Sequence, residues 1–158
     1  MSVILPGSYD PVTLGHLEVI KRASREYDEV YVVVFTNPDK QYTFSLEERV
    51  KMLLLATDGL ENVIVSYSLG YVVDYMREHE IEKIIKGYRN DTDLEYERAQ
   101  AEWNFSHGGY ETILWKCDEA FANISSTAAR EAISKGNSLL DYLHPAVAEY
   151  IKDIAKKS

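Results

Sequence analysis

The 158 residues carry a net charge of −9, with 46% hydrophobic and 27% charged side chains, the balance of a globular chain long enough to bury a core in one domain. A field of that sign argues against a nucleic-acid or membrane-surface binder. It leaves room for a nucleotide, because a few local cations and N–H groups outweigh the global field at short range.

The chain opens on an apolar run, Val3-Ile4-Leu5, read as a strand, which feeds Pro6-Gly7-Ser8-Tyr9-Asp10-Pro11-Val12-Thr13-Leu14-Gly15-His16. Gly and Pro punctuate that stretch as a loop, with Asp10 as a turn-former beside Pro11. A helix is predicted over 14–27: Leu14, Leu17, Val19, Ile20, Ala23 and Tyr27 fall near helical spacing, with Glu18, Lys21, Arg22 and Arg25 on the wet face. Such a strand–loop–helix is expected to bring free backbone N–H groups and the positive end of the helix dipole to an anion. Gly7 permits close backbone approach, Ser8 adds a hydroxyl, and the His16 imidazole falls in the first helical turn. The stretch therefore reads as a phosphate site containing a histidine. The competing reading is an ordinary turn with a surface histidine, and these residues alone leave both open.

Val30 to Phe35 is a continuous β-branched and aromatic run, typical of a strand covered on both faces. After the loop 37–44, Ser45 and Glu48 form a capping box that opens a helix through about Ala56. Val63-Ile64-Val65 is a short strand, 71–79 a helix, and Ile84-Ile85-Lys86 a buried strand ending at Gly87-Tyr88-Arg89. Residues 91–107 are predicted helical, with Asp91, Asp93, Glu95 and Glu97 loading the end that the dipole favours. Thr112 to Trp115 is the last strand; Ser125 caps a helix through Ser134, and Pro145 takes a first helical position in the C-terminal helix.

Strands alternating with helices predict one α/β domain over 1–158, a Rossmann-like, doubly wound parallel sheet of five strands with helices on both faces. Ligands in such sheets bind at the carboxyl ends of the strands beside the switch point, where the loops 6–16, 37–44, 87–89 and 121–127 would meet. Lys86 and Arg89 flank Gly87 as a phosphate grip, or as plain surface charges. Ser125, Ser126 and Thr127 put three hydroxyls at a helix start, a phosphate cradle or simple capping. His16, His79, His107 and His144 lack ligand spacing, so no protein metal site is expected, and Cys117 has no histidine partner for a nucleophilic dyad. The single cysteine excludes an internal disulfide and fits a reducing, cytoplasmic setting. With no basic-then-apolar N-terminus and no apolar run near ~18 residues, neither secretion nor a membrane span is expected.

Thr13-Leu14-Gly15-His16 resembles the T/HxGH signature of nucleotidyltransferases. The block from Pro6 to His16 resembles the start of the bacterial phosphopantetheine adenylyltransferases, PG-[ST]-[FY]-DP-x-T-x-GH. Lys86-Gly87-Tyr88-Arg89 with Asp93-Leu94-Glu95-Tyr96-Glu97 resembles that family's RGLR…DFEYE, and Ile124-Ser125-Ser126-Thr127 its ISS[ST]. The family's N-P-x-K-K-P-[LM]-F-[ST]-x-E-E-R reads here from Asn37 to Arg49 as NPDKQYTFSLEER. The second lysine is replaced by Gln41, and Lys40 remains one position earlier; in an extended segment the two would point to opposite sides.

The resemblance implies transfer of AMP from ATP to 4′-phosphopantetheine by direct in-line attack, with Mg²⁺ as cofactor and a homo-oligomer, a hexamer, as the assembly. It implies catalytic roles for His16, Lys40 and Arg89. ATP would meet Ser8, Tyr9, His16, Gly87, Tyr88, Arg89, Glu97 and the run from Phe121 through Ala122, Asn123, Ile124, Ser125 and Ser126 to Thr127. The acceptor would meet Ser8, Lys40, Gln41, Val72 and Lys86. The departures at Gln41 and Lys86 keep two rivals in view: a relative using CTP or another phosphorylated acceptor, and a catalytically silent ATP-binding regulator. The protonation of His16 is open at this stage, because the helix start favours the neutral ring and bound phosphates the cation.

Overall fold

A computed structural model describes residues 1–157. Five parallel strands, β1 (Ser2–Gly7), β2 (Glu29–Phe35), β3 (Val63–Ser68), β4 (Lys83–Tyr88) and β5 (Thr112–Lys116), form one sheet in the order β3-β2-β1-β4-β5. Between them run α1 (Leu14–Glu26), α2 (Leu46–Ala56), α3 (Val72–His79) and α4 (Asp91–Gly108); α5 (Ser126–Lys135) and α6 (Pro145–Lys156) follow the last strand. The predicted alternation holds, with ends within a few residues of those read from the sequence.

The period of two along β1 shows why both faces are covered. Val3 and Leu5 point into a large core shared with α1, α2, α5 and α6, built around Ile20, Met52, Leu53, Leu143 and Val147. Ile4 points the other way, into a smaller core with Val33, Ile84, Met76 and Ile81 beside α3. Each fully buried aliphatic side chain here contributes about 1.5–3 kcal/mol. α4 differs: its buried residues are the polar Glu97 and Asn104, while Tyr96 and Phe105 are exposed.

Strand order reverses between β1 and β4, which makes that pair the switch point. β1 pairs with β2 from Ser2↔Glu29 to Gly7↔Val34, but with β4 only at Val3↔Lys83 and Ile4↔Ile84. Beyond Ile4 and Ile84 the ladder stops, and the carboxyl ends of β1 and β4 flank a crevice.

Candidate active site

The start of α1 is closed by its own sequence. Thr13 is the N-cap, and its hydroxyl accepts the His16 N–H at 3.3 Å. His16 occupies the position that Glu usually takes in a capping box, and its Nδ1 accepts the Thr13 N–H at 3.0 Å. The Leu14 N–H donates to the Tyr142 carbonyl at 2.8 Å. The expectation of several free N–H groups for an anion at this helix is thus corrected: the chain itself occupies the Thr13, Leu14 and His16 donors. What the helix presents instead is an oriented imidazole. A backbone N–H only donates, so Nδ1 is the acceptor and the neutral ring carries its proton on Nε2. Tyr9 packs edge-on against the ring at 5.0 Å. Desolvation, then the nearby Lys86 and Arg89 cations, lower the His16 pKa from its ordinary value to about 4, so the question of its resting charge is answered as neutral near pH 7.

The Asp10 side chain does more than turn the chain. Its two carboxylate oxygens accept the Thr43 and Phe44 N–H groups at 2.8 and 2.9 Å, tying the first loop to the loop 37–44. Behind them lies Arg49, 2% exposed, whose guanidinium donates to the carbonyls of Phe44 (3.1 Å) and Ser8 (3.1 Å) and to the Thr36 hydroxyl (2.8 Å). Arg49 also lies 3.9 Å from the Tyr42 ring centre. The Lys40 N–H closes a turn on the Asn37 carbonyl at 3.0 Å, so this segment is not extended, and Lys40 and Gln41 both line the cavity.

At the end of β4, the Lys86 ammonium reaches across the crevice to the Pro6 carbonyl (3.1 Å) and to Glu97 (3.3 Å). Burial raises the Glu97 pKa, and the Lys86 cation opposes that rise. Arg89 pairs with Asp93 at 2.9 Å. Gly87 has no room for a side chain: a Cβ there would stand 2.8 Å from Val19 and 3.2 Å from the Cys117 sulfur. At the start of α5, Ser125 caps the Ala128 N–H, the Ser126 hydroxyl donates to the Pro11 carbonyl at 2.9 Å, and Arg130 donates to the Thr127 hydroxyl and the Asp10 carbonyl. The first-turn N–H groups of Ser126 and Thr127 have no partner within the helix, which leaves donors of the kind that suit an anion at the start of α5.

These groups line a cavity of about 910 Å³. It gathers Ser8, Tyr9, His16, Lys40, Gln41, Lys86, Gly87, Arg89, Glu97 and the run from Ile124 to Thr127. The Tyr9 hydroxyl donates to the Leu5 carbonyl at 2.8 Å. Tyr88, Phe121, Ala122 and Asn123 are not among the lining residues; Phe121 ends a short 3-10 turn, Glu119–Phe121. A second lobe of about 730 Å³ holds Val72 with Leu69, Tyr71, Tyr96 and Ala101, and shares Ser8, Lys40, Tyr42, Lys86 and Glu97 with the first.

Arg49 and Arg130 were not singled out from the sequence, although helical spacing carries both. Arg49 stands in register with the buried Met52, Leu53 and Ala56 of α2, and Arg130 lies one turn beyond Thr127 on α5. Among the described residues no group of three or more His, Cys, Asp or Glu side chains is placed to hold a metal ion. No helix among them is long and apolar enough to cross a membrane.

Residues 4–132 match the cytidylyltransferase-like family. The chain is 40% identical to the phosphopantetheine adenylyltransferase of Corynebacterium diphtheriae, over 97% of each sequence, and 39% identical to that of Clostridium novyi, over 98% of this chain and 94% of the relative. In fold it is similar to a candidate nicotinate-nucleotide adenylyltransferase from Vibrio parahaemolyticus (TM-score 0.70, 18% identity, 96% of this chain and 91% of that one). It is also similar to a bifunctional NMN adenylyltransferase/ADP-ribose pyrophosphatase from Francisella tularensis (TM-score 0.72, 17% identity, 98% and 49%). Identity of this extent over nearly the whole of both sequences shows that the chain belongs to the phosphopantetheine adenylyltransferase family.

Proposed function

We propose that the two-lobed cavity transfers the adenylyl group of ATP to 4′-phosphopantetheine, releasing pyrophosphate and forming dephospho-coenzyme A in coenzyme A biosynthesis. The observation that carries this reading is the fixed imidazole. The His16 ring is held by a capping box at the wall of the cavity that the start of α5 also lines.

The acceptor phosphate is already an anion, so no side-chain nucleophile is required. One of its oxygens forms a bond to the α-phosphorus in line with the bond to the β-phosphate that breaks, and the electron pair leaves with pyrophosphate. His16 Nε2–H donates to the α-phosphoryl oxygens as their charge grows. Arg89, Arg130 and the Ser126 and Thr127 N–H groups hold the β- and γ-phosphates. Ser8 stands where both substrates meet, and Lys86 and Lys40 face the acceptor phosphate, with the pantetheine arm along Val72. Mg²⁺ as cofactor would screen the charge of the triphosphate. The same reading includes a homo-oligomer, a hexamer; mass measurement in solution tests it. A cytoplasmic location goes with ATP as substrate.

Pyrophosphate release with ATP and Mg²⁺, assayed with and without 4′-phosphopantetheine, tests the function. Acceptor-dependent release is expected. A folded, ATP-binding sample that releases none with this acceptor would overturn the assignment.

A further inference from the structure

Only Arg89 and Asn90 separate the end of β4 from α4, and this short turn is wired from the helix side. The Asn90 side chain caps α4 by accepting the Asp93 N–H at 2.9 Å, which fixes Asp93 in the first turn. The Asp93 carboxylate turns back over the loop. Its Oδ2 accepts the Arg89 main-chain N–H at 3.1 Å and the Arg89 Nε–H at 2.9 Å, and its Oδ1 accepts from Arg89 Nη2 at 3.2 Å. One carboxylate therefore holds both the backbone and the head of the arginine. The acid that the sequence places at the positive end of the helix dipole has this second use.

Of the five N–H donors that a guanidinium carries, Asp93 takes two along one edge. The end formed by Nη1 and the other Nη2 hydrogen has no partner among the described residues, and such an end is a planar fork suited to a phosphate. Arg89 and Asp93 both line the first lobe of the cavity and not the second. Arg130, the other arginine of that lobe, is held by the neutral oxygens of Thr127 and Asp10. The Arg89 and Asp93 side chains are 30% and 28% exposed, and an i,i+4 pair that open adds little to stability. Its effect is on orientation.

We propose that Asp93 is a positioning residue for the triphosphate of ATP: it grips one edge of the Arg89 guanidinium and so keeps the free end ordered for the β- and γ-phosphates. This rests on the reading of Arg89 as a contact to those phosphates. The sign of the effect separates it from plain electrostatics. A carboxylate beside a phosphate site repels the ligand, so its removal would tighten ATP binding if repulsion were all it did. Loss of a pre-ordered, rotamer-rich side chain acts in the opposite direction.

Steady-state kinetics with ATP and 4′-phosphopantetheine varied separately, together with product inhibition by pyrophosphate, tests it on Asp93→Ala, Asp93→Asn, Asp93→Glu, Arg89→Ala and the Asp93→Ala/Arg89→Ala double variant, each checked for a folded state by circular dichroism. Asp93→Ala is expected to raise the KM for ATP and the inhibition constant of pyrophosphate about fivefold, the scale of ordering one long side chain on binding, with the acceptor KM unchanged. Asp93→Asn keeps an acceptor for the Arg89 main-chain N–H but loses the two-oxygen grip, and is expected to act in the same direction. Asp93→Glu restores a carboxylate and is expected to return to within about twofold of the starting protein. In the Arg89→Ala background the Asp93→Ala change is expected to add nothing, because the two residues act as one. If Arg89→Ala leaves the KM for ATP unchanged, the underlying reading of Arg89 fails. If Arg89→Ala raises it but Asp93→Ala leaves it unchanged or lowers it, or if Asp93→Ala acts equally on both substrates and in both backgrounds, Asp93 serves only the start of α4 and the inference is overturned.

Discussion

On the side of the cavity proposed for the nucleotide, position is set by short-range wiring within single motifs: Thr13 and His16 cap one another, and Ser125 caps the helix that carries Thr127 and Arg130. On the side proposed for the acceptor, position is set by contacts between distant loops, where Asp10 and Arg49 bind the loop 37–44 to the segments that follow β1 and β2. The first kind of construction survives only if the motif is kept whole. The second tolerates substitution, because a loop held by its backbone can carry a cation from one of several positions.

The comparison can be broken most directly at His16. His16→Ala is expected to lower turnover by roughly 10²–10³-fold, as for loss of one transition-state donor, with the fold retained. Near-normal turnover would remove the histidine from the chemistry. Next in size is Asp10→Ala, which strips the charged acceptor from one buried and one part-buried N–H group and is expected to cost about 2–3 kcal/mol in denaturant unfolding. An unchanged midpoint would show that the loops are held by something other than this carboxylate. Arg130→Ala is expected to raise the KM for ATP about tenfold, the scale of one charge-assisted contact to a phosphate, and to leave the acceptor KM alone. An acceptor-side effect would erase the division drawn here.

The smallest effect concerns pH. The folded pKa of His16 lies near 4, below the unfolded value near 6.5, so between these values the unfolded chain binds more protons. The contribution of His16 to stability is therefore full above about pH 6.5 and is lost as pH falls toward 4. Because the ring is partly exposed, the loss relative to His16→Asn is expected to be on the order of 1 kcal/mol. Equal urea midpoints for the two proteins at both pH values would mean that the ring is not desolvated.

What could be read from the sequence follows the same division. The strands are legible because runs such as Val30 to Phe35 leave no other structure plausible for so many β-branched residues, and helix starts are legible because Ser45, Ser125 and Pro145 act on their own backbone. His16 and the hydroxyls of α5 are legible as local patterns. The tautomer of His16 is not, because it depends on which N–H its Nδ1 meets, and neither is the pairing of Asp10 with Thr43 and Phe44, which joins residues more than thirty positions apart. Arg49 lies between these cases: its place on the buried stripe of α2 is visible, but its partners are not.

The hydrogen bond from Leu14 to the Tyr142 carbonyl has a consequence in time. α1 begins at Leu14, yet one of its capping partners, Tyr142, lies beyond the residues that match the cytidylyltransferase-like family. A nascent chain that has emerged through all five strands still lacks this contact, and the start of α1 closes only once Tyr142 has folded against it.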